Sequence, residues 1–299
     1  MRLISVFYLI CIFLCVTCSL NAGQVGGKNE AFFYADSLFQ GGNYFESALA
    51  FERVYFFASD PHLRARANLG RARALKQTGD FNRARNDLQR SLSFREDNEL
   101  HYQIMYEMAF CDYMAGNYTA AISMLKQVAY FYGDSHSADQ VLLLFALSYT
   151  SLAQWDLAKE STVDFLNSRF EESPIRDSLL YRIDELFCEC RWPEMKSQKR
   201  ASNFATFLPG TGHLYAGYPG KGMINASSQL LSLGVTGLMA YHNLYVSGFL
   251  MGLGMFQSFY FGGIRQATVL TQQRNSKGLL AYKSLLQDFL LEIEAMHHE

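Results

Sequence analysis

Four short patches of this sequence match one another at an almost constant spacing. Each consists of an aromatic residue, two variable residues and an alanine, and the alanines stand 36, 37 and 37 residues apart. The patches are Phe45–Ala48, Phe81–Ala84, Tyr118–Ala121 and Trp155–Ala158. A period of this length is typical of stacked helical hairpins, which bury a continuous core only when several are present. The sequence therefore predicts an all-α helical-hairpin solenoid, an architecture that usually binds other proteins and performs no chemistry.

Within each repeat the pattern predicts two helices joined by a tight turn. In the third repeat the first helix is expected to end near Ala115, and Gly116-Asn117 forms the turn, because glycine and asparagine tolerate left-handed backbone. The second helix follows from Tyr118 with its apolar residues on one stripe. We expect the repeat domain to cover residues 31–195.

The repeats resemble the tetratricopeptide repeat, whose core pattern Gly-Asp/Asn-aromatic-x-x-Ala is present at Gly79–Ala84 and Gly116–Ala121. The resemblance implies a superhelix with a concave groove that binds peptides or proteins, lined by the first helix of each repeat. The residues that we expect to contact a protein partner there are Arg71, Tyr102, Tyr106 and Tyr149. A helical solenoid of another type is the alternative, and it predicts the same absence of catalysis.

The first 22 residues differ from the rest of the chain. Arg2 is the only charged residue before an apolar run over 3–20, and Ala22 ends a small-residue cleavage pattern. This is typical of a secretory signal peptide, which we expect over residues 1–22. An uncleaved anchor helix is the alternative.

A second uncharged run lies in the last third of the chain. The 43 residues from Gly222 to Ile264 include no Asp, Glu, Lys or Arg. Because a spanning helix needs about 20 residues, we expect two transmembrane helices over 222–264, with His242-Asn243 as their turn. This hairpin would contact membrane lipid, and a buried soluble hairpin is the alternative.

The junction before this run, residues 196–221, is rich in glycine. It is not a phosphate-binding loop, because that pattern needs glycine where Tyr215 stands and Ser or Thr where Gly222 stands. It resembles the Pro-Gly-x-Gly-x-x-Tyr-x-Gly motif of small bacterial membrane domains, which begin with Lys-Ser, here Lys196-Ser197, and end near an Asn such as Asn275. The resemblance implies two transmembrane helices directly after the motif. Its residues here are Pro209, Gly210, Gly212, His213, Tyr215 and Gly217.

Beyond the uncharged run, apolar residues recur at helical spacing over 276–293. The pattern predicts an amphipathic helix that lies on the membrane or packs on the repeats.

Few features of the sequence indicate chemistry. The net charge is −2, so no overall field attracts nucleic acid. No Ser-His-Asp grouping, paired acids in a glycine-rich context or metal-spaced histidines occur, and His213 has no nearby second ligand. We expect no enzyme activity, no cofactor and no metal.

Two signals about topology disagree. The signal peptide would place the repeats in the periplasm, whereas Lys and Arg on both flanks of the uncharged run would place those flanks in the cytoplasm. We give priority to the signal peptide, because large domains translocate regardless of modest flanking charge. The sequence thus predicts a membrane-anchored scaffold of the bacterial envelope that binds other proteins, with envelope assembly as a candidate role. A membrane transport or sensing component, with the repeats as its soluble receptor arm, is the alternative.

Overall fold

The computed structural model describes residues 28–133, 138–170 and 172–296, so the expected signal peptide lies outside the described residues. All secondary structure in these ranges is helical, and the predicted all-α class is confirmed. The chain forms two compact units, one ending at Asp177 and one beginning at Ser178.

The first unit is a succession of helical hairpins. Each helix packs on the next, and the first helices of neighbouring hairpins also contact one another, α1 with α3, α3 with α5 and α5 with α7. The eight helices that lie wholly in this unit are α1 (Lys28–Gln40), α2 (Tyr44–Phe57), α3 (Pro61–Gln77), α4 (Phe81–Gln89), α5 (Asn98–Met114), α6 (Tyr118–Tyr132), α7 (Ala138–Ser151) and α8 (Trp155–Arg169).

The turns inside the hairpins repeat with a constant period. A residue with left-handed backbone stands at Gly42, Gly79, Gly116 and Ala153, with φ values of 77°, 79°, 81° and 58°. These positions are 37 residues apart throughout. Glycine meets this requirement without steric cost, whereas Ala153 meets it with a Cβ atom in a disfavoured region.

This constant period corrects the alignment of the first patch. The second helix of the first hairpin begins at Tyr44, 37 residues before Phe81, so Ser47 occupies the place expected for Ala48. Ser47 is fully buried, and its hydroxyl donates to the carbonyl of Ala35 at 2.9 Å. Serine can replace alanine at a close helix contact, because its side chain is small and its hydroxyl is hydrogen-bonded to a backbone carbonyl.

The core of the first unit is built from small residues at the same interval. Ala35, Ala72, Ala109 and Ala146 stand 37 residues apart on the first helices, and all are at most 1% exposed. Residues without a long side chain allow the two helices of a hairpin to approach closely. Larger side chains such as Phe51 and Leu125 are buried as well, and the ring of Phe51 packs against Gly70 of the next hairpin.

The second unit begins within α9 and has a different construction. Its elements are α9 (Pro174–Leu186), a 3₁₀ turn (Glu189–Arg191), α10 (Gln198–Phe207), α11 (Thr211–Ala216), α12 (Pro219–Tyr241), α13 (Tyr245–Ser247), a π-helical segment (Gly248–Leu253) and α14 (Gly254–Ala295).

The separate amphipathic helix expected over 276–293 is the last part of α14, a helix of 42 residues. Its buried face packs on α9. The hydroxyl of Tyr282 donates to the carbonyl of Leu186 at 2.8 Å, and Arg182 donates to Glu292 at 2.7 Å. Because of these contacts, most of α9 belongs to the second unit. The boundary between the two units therefore lies between Asp177 and Ser178, before residue 195, where we expected the repeat domain to end.

Within the described residues, none of the helices combines the length and the apolarity that crossing a membrane would require. The pair of spanning helices expected over 222–264 is therefore not found. The physical reason is that an uncharged segment is not necessarily an apolar one. Asn225, Gln229 and Ser232 place polar groups along α12, and glycines recur through the π-helical segment.

Candidate binding surfaces

The first helices of the first three hairpins enclose a groove of about 470 Å³. Helices α1, α3 and α5 supply most of its walls, and the end of the α4–α5 connection supplies Asp97. The side chains that line it include Phe32, Phe33, Asp36, Phe39, His62, Arg66, Arg73, Asp97, Glu99 and Gln103. The groove therefore combines aromatic surface with charges of both signs.

Aromatic rings form one wall of the groove. Phe33 is 68% exposed, and the guanidinium of Arg66 lies 4.6 Å from the centre of the Phe32 ring. Gly70 allows the ring of Phe51 to pack against α3, because a Cβ atom at this position would lie 2.6 Å from the ring. An exposed aromatic side chain in a concave site is an effective anchor for a partner's apolar group.

The opposite wall is held by hydrogen bonds between α3 and α5. Arg73 donates to Gln103 at 3.3 Å, and Gln103 donates to Glu99 at 2.7 Å. His62 lies 3.1 Å from Asp97, which also accepts the backbone N–H of Leu100. The Leu100 N–H, followed by His62, keeps the pKa of Asp97 below its usual value. This wall is therefore polar and pre-organised, with Asp97 ionised.

Arg71, one of the residues expected to contact a partner, lies away from this groove. Its guanidinium is an ion-pair partner of Glu52 on α2 and of Asp87 on α4, the latter at 3.1 Å. Arg90 contacts the same two carboxylates, at 3.1 Å from Glu52 and 2.9 Å from Asp87. Burial raises the pKa of Asp87, while Arg71 and Arg90 act in the opposite direction. Arg71 thus takes part in a largely buried ion-pair network between hairpins.

The three tyrosines expected to contact a partner are only partly brought together. Tyr102 and Tyr106 stack on α5 with ring centres 6.2 Å apart, and Tyr149 stacks with Phe145 on α7 at 5.9 Å. Tyr102 and Tyr149 are buried, and Tyr106 is half-buried. The structure does not place them in the groove formed by α1, α3 and α5.

Sequence reasoning missed the residues that do line the groove. The groove residues Phe33, Arg66 and Arg73 lie on first helices, as the resemblance implies. They are on the exposed face of these helices, and the repeated alanines are on the buried face. The alanines identify the side of a first helix that packs in its hairpin. The groove residues could have been found as the exposed residues on the other side of α1 and α3.

In the second unit the Pro-Gly junction forms a tight link between α10, α11 and α12. Pro209 lies in the turn after α10, and Gly210 begins α11 with a φ of 86°. A Cβ atom on Gly212 would lie 2.7 Å from that of Ala205 and 2.9 Å from that of Ala267. Glycine is required at 212 because α10, α11 and α14 meet there.

The other residues of the junction motif contact one another. The Lys196 ammonium donates to the carbonyl of Tyr215 at 2.8 Å, and the backbone N–H of Ser197 donates to the Tyr215 hydroxyl at 3.1 Å. The Asn275 amide accepts from the N–H of Lys196 at 3.0 Å and donates to its carbonyl at 2.9 Å. Gly217, with a φ of 89°, ends α11. Residues distant in sequence thus form one connected structural junction.

His213 lies at the centre of this junction. It is fully buried, and its Nε2 is 3.0 Å from the Oε1 of Gln266 on α14. This contact links α11 to α14 and gives the imidazole a structural role. In the described ranges, no group of three or more His, Cys, Asp or Glu side chains is placed to hold a metal ion.

Helix α12 reverses the usual distribution of polar and apolar side chains. Gln229 and Ser232 are buried, at 2% and 1% exposed, whereas Met223, Leu230 and Leu238 are exposed. The amide of Gln229 donates to Asn225 at 2.9 Å, and Asn225 donates to the carbonyl of Phe259 at 3.1 Å. The buried polar groups of α12 are hydrogen-bonded except for the Gln229 side-chain oxygen, which is buried without a partner, and the apolar side chains form the exposed surface.

Comparison with known proteins adds no assignment. No protein-family model matches the chain, and no curated protein matches it at a significant level.

Proposed function

We propose that this chain is a non-enzymatic scaffold of the bacterial envelope, in which tetratricopeptide-like repeats bind a segment of another protein. The observation that carries the proposal is the groove between α1, α3 and α5, with its exposed aromatic wall and its pre-organised polar wall. The groove suits an extended segment that has an apolar side chain for Phe33 and charged groups for Arg66 and Glu99. The repeat unit lies in the periplasm in this proposal, and the scaffold serves envelope assembly.

The groove is tested by photo-crosslinking in intact cells. A photoreactive phenylalanine at position 33 is expected to form a covalent adduct with a partner protein. Arg73→Glu in the same groove should abolish the adduct, whereas Lys126→Glu on the exposed outer side of α6 should leave it intact. An adduct unaffected by Arg73→Glu, or no adduct at all, would rule the groove out as the binding site.

The second part of the proposal is that the exposed apolar surface of α12 contacts membrane lipid. Its support is the reversed distribution of side chains on this helix, since exposed apolar patches of this extent mark membrane or protein contact sites. Substitution of Leu230 and Leu231 by Asp should move the protein out of the membrane fraction. Leu157→Asp, at an exposed position of α8, is the matched control. Recovery of the Leu230→Asp, Leu231→Asp variant in the membrane fraction to the same extent as the unaltered chain would contradict lipid contact through α12.

The location of the repeat unit is tested by protease accessibility in intact spheroplasts. Digestion of the repeats is expected, because the proposal places them outside the cytoplasmic membrane. Protection until lysis would place the repeats and their partner in the cytoplasm.

A second candidate function, a transport or sensing component with the repeats as its receptor arm, is favoured by one observation. Polar side chains recur along α12 at Asn225, Gln229, Ser232 and Thr236, all on the side that faces the interior of the unit. Such groups can line a path for a polar solute, although they also serve as hydrogen bonds between helices. Gln229→Leu would abolish activity under this alternative while groove substitutions leave it intact.

A further inference from the structure

The outer face of α2 carries a stripe of large apolar side chains. Phe45, Leu49 and Phe56 are 65%, 50% and 65% exposed. Their spacings of four and seven residues place them on one side of the helix, opposite the buried residues Phe51 and Val54. Leu49 lies between the two phenylalanines of this stripe.

The other hairpins have polar residues at the places that correspond to Phe45 and Leu49. With the period of 37, Phe45 corresponds to Asn82, Thr119 and Asp156, and Leu49 corresponds to Asn86, Ser123 and Glu160. All six of these polar residues are exposed. The position therefore faces outward in every hairpin, and only the first hairpin presents apolar side chains at both places. Repeat stacking does not explain the stripe, because the equivalent residues take no part in it.

Charges on the same face indicate what covers it. Glu46 precedes Leu49 by three residues and Arg53 follows it by four, and both are exposed. Neither forms an ion pair within the described part of the chain. In an antiparallel helix pair, residues at equal distances before and after the two-fold axis face each other. Glu46 and Arg53 are at equal distances from a point between Leu49 and Ala50, so an axis there places Glu46 of each copy opposite Arg53 of the other.

We propose that two copies of this chain associate through α2, packed antiparallel about a two-fold axis close to Leu49. An interface of this kind uses the same surface on both copies and must be complementary to itself. The α2 face meets this condition in charge, because the exposed Glu46 and Arg53 lie on either side of the axis at equal distances. The association is independent of the groove, which lies on the first helices.

Disulfide crosslinking of the full chain tests the geometry. Leu49→Cys places a thiol beside the axis in both copies, so mild oxidation should give a covalent dimer. Ser123→Cys, at the equivalent exposed position of α6, is the matched control and should give no covalent dimer. A crosslinking rate for Leu49→Cys no higher than that of Ser123→Cys would overturn the proposal.

Charge exchange tests the pairing. Glu46→Arg and Arg53→Glu each replace two attractive contacts by two repulsive ones, so each is expected to weaken dimerisation roughly tenfold or more. The double variant restores opposite charges across the axis and should recover most of the lost affinity. Dimer affinities are measured by analytical ultracentrifugation, with circular dichroism to verify folding. A double variant as weak as the single variants would refute the antiparallel arrangement.

A lipid surface is the competing occupant of the stripe. If the stripe binds membrane, Leu49→Glu lowers sedimentation of the chain with anionic phospholipid vesicles and leaves the monomer–dimer equilibrium unchanged. That result would overturn the proposal, whereas loss of the dimer with unchanged vesicle binding supports it.

Discussion

Arg71 on α3 lies with its guanidinium 3.1 Å from the carboxylate of Asp87 on α4, and both side chains are largely buried. The resemblance to the tetratricopeptide repeat implies that Arg71 contacts a partner protein, and the structure shows its guanidinium in ion pairs with Glu52 and Asp87. Removal of Arg71 leaves the Asp87 carboxylate buried with Arg90 as its remaining ion-pair partner in the network.

We expect Arg71→Met to lower the free energy of unfolding of the first unit by about 2–4 kcal/mol, because a buried carboxylate loses a partner. The measurement is urea unfolding followed by Trp155 fluorescence in a Trp192→Phe background. Arg66→Met, which changes an exposed guanidinium on the same helix, should cost less than about 1 kcal/mol. Unchanged stability together with weaker partner binding would instead support a direct contact.

The turn residue of the fourth hairpin provides a second prediction. Ala153 has a φ of 58°, where the other three hairpins have glycine. Ala153→Gly should stabilise the first unit by about 0.5–1 kcal/mol. Glycine removes the backbone strain in the folded state, and this gain exceeds the loss that comes from the greater flexibility of the unfolded chain. Gly116→Ala should destabilise it by about 1 kcal/mol or more. Shifts of the same sign in the two unfolding midpoints would argue against the backbone explanation.

Stability should also depend on the protonation of His101. Its Nε2 donates to the carbonyl of Leu92 at 3.1 Å, and its Nδ1 lies 2.5 Å from the Tyr132 hydroxyl. Burial lowers the pKa of His101 in the folded chain, so the folded state prefers neutral imidazole. When the pH falls through the ordinary value of 6.5, the unfolded chain gains a proton that the folded chain does not.

We therefore expect the free energy of unfolding to be nearly constant between about pH 7.5 and pH 8 and to decrease below about pH 6.5. Burial raises the pKa of Asp87 and of Asp112, so the folded chain binds protons at these carboxylates at a higher pH than the unfolded chain does. In more acidic solution these two groups therefore increase the free energy of unfolding as the pH falls, which is opposite to the effect of His101. The difference between the unaltered chain and His101→Gln isolates the histidine. This difference should shrink as the pH falls, and a pH-independent difference would show that His101 does not titrate on unfolding.

In the second unit, Gly212 is the position most sensitive to an added methyl group. Gly212→Ala places a Cβ atom against Ala205 and Ala267, which forces α10 and α14 apart and should cost about 1–3 kcal/mol. Gly220→Ala is the matched control, because no atom lies within 4 Å of the added Cβ. Thermal unfolding of the two variants should separate them clearly. Equal stability would show that the three helices do not meet closely at Gly212.

Much of the first unit could be predicted from local patterns. The aromatic-x-x-Ala patches predict where the second helices begin, and Gly79 and Gly116 predict their turns. The first patch was misaligned by one residue because Phe45 and Ala48 match the pattern better than Tyr44 and Ser47. Only the Ser47–Ala35 hydrogen bond shows why serine is tolerated at this close contact.

The second unit shows where local patterns fail. The lack of charge over 222–264 predicts spanning helices, but hydropathy along a chain does not show which side of a helix each residue faces. In the folded unit Gln229 and Ser232 point inward and Leu230 outward. Such an arrangement depends on hydrogen bonds to residues distant in sequence, such as the one from Asn225 to Phe259.

By itself, the sequence determined the helical class of this protein, the period of its hairpins and the residues of the Pro-Gly junction, because each depends on local backbone preference and short-range spacing. Only the tertiary structure decided that Arg71 joins a buried network, that Phe33 and Arg66 line a groove, and that Lys196, Tyr215 and Asn275 meet. These contacts join separate helices, and their geometry follows from how the helices pack.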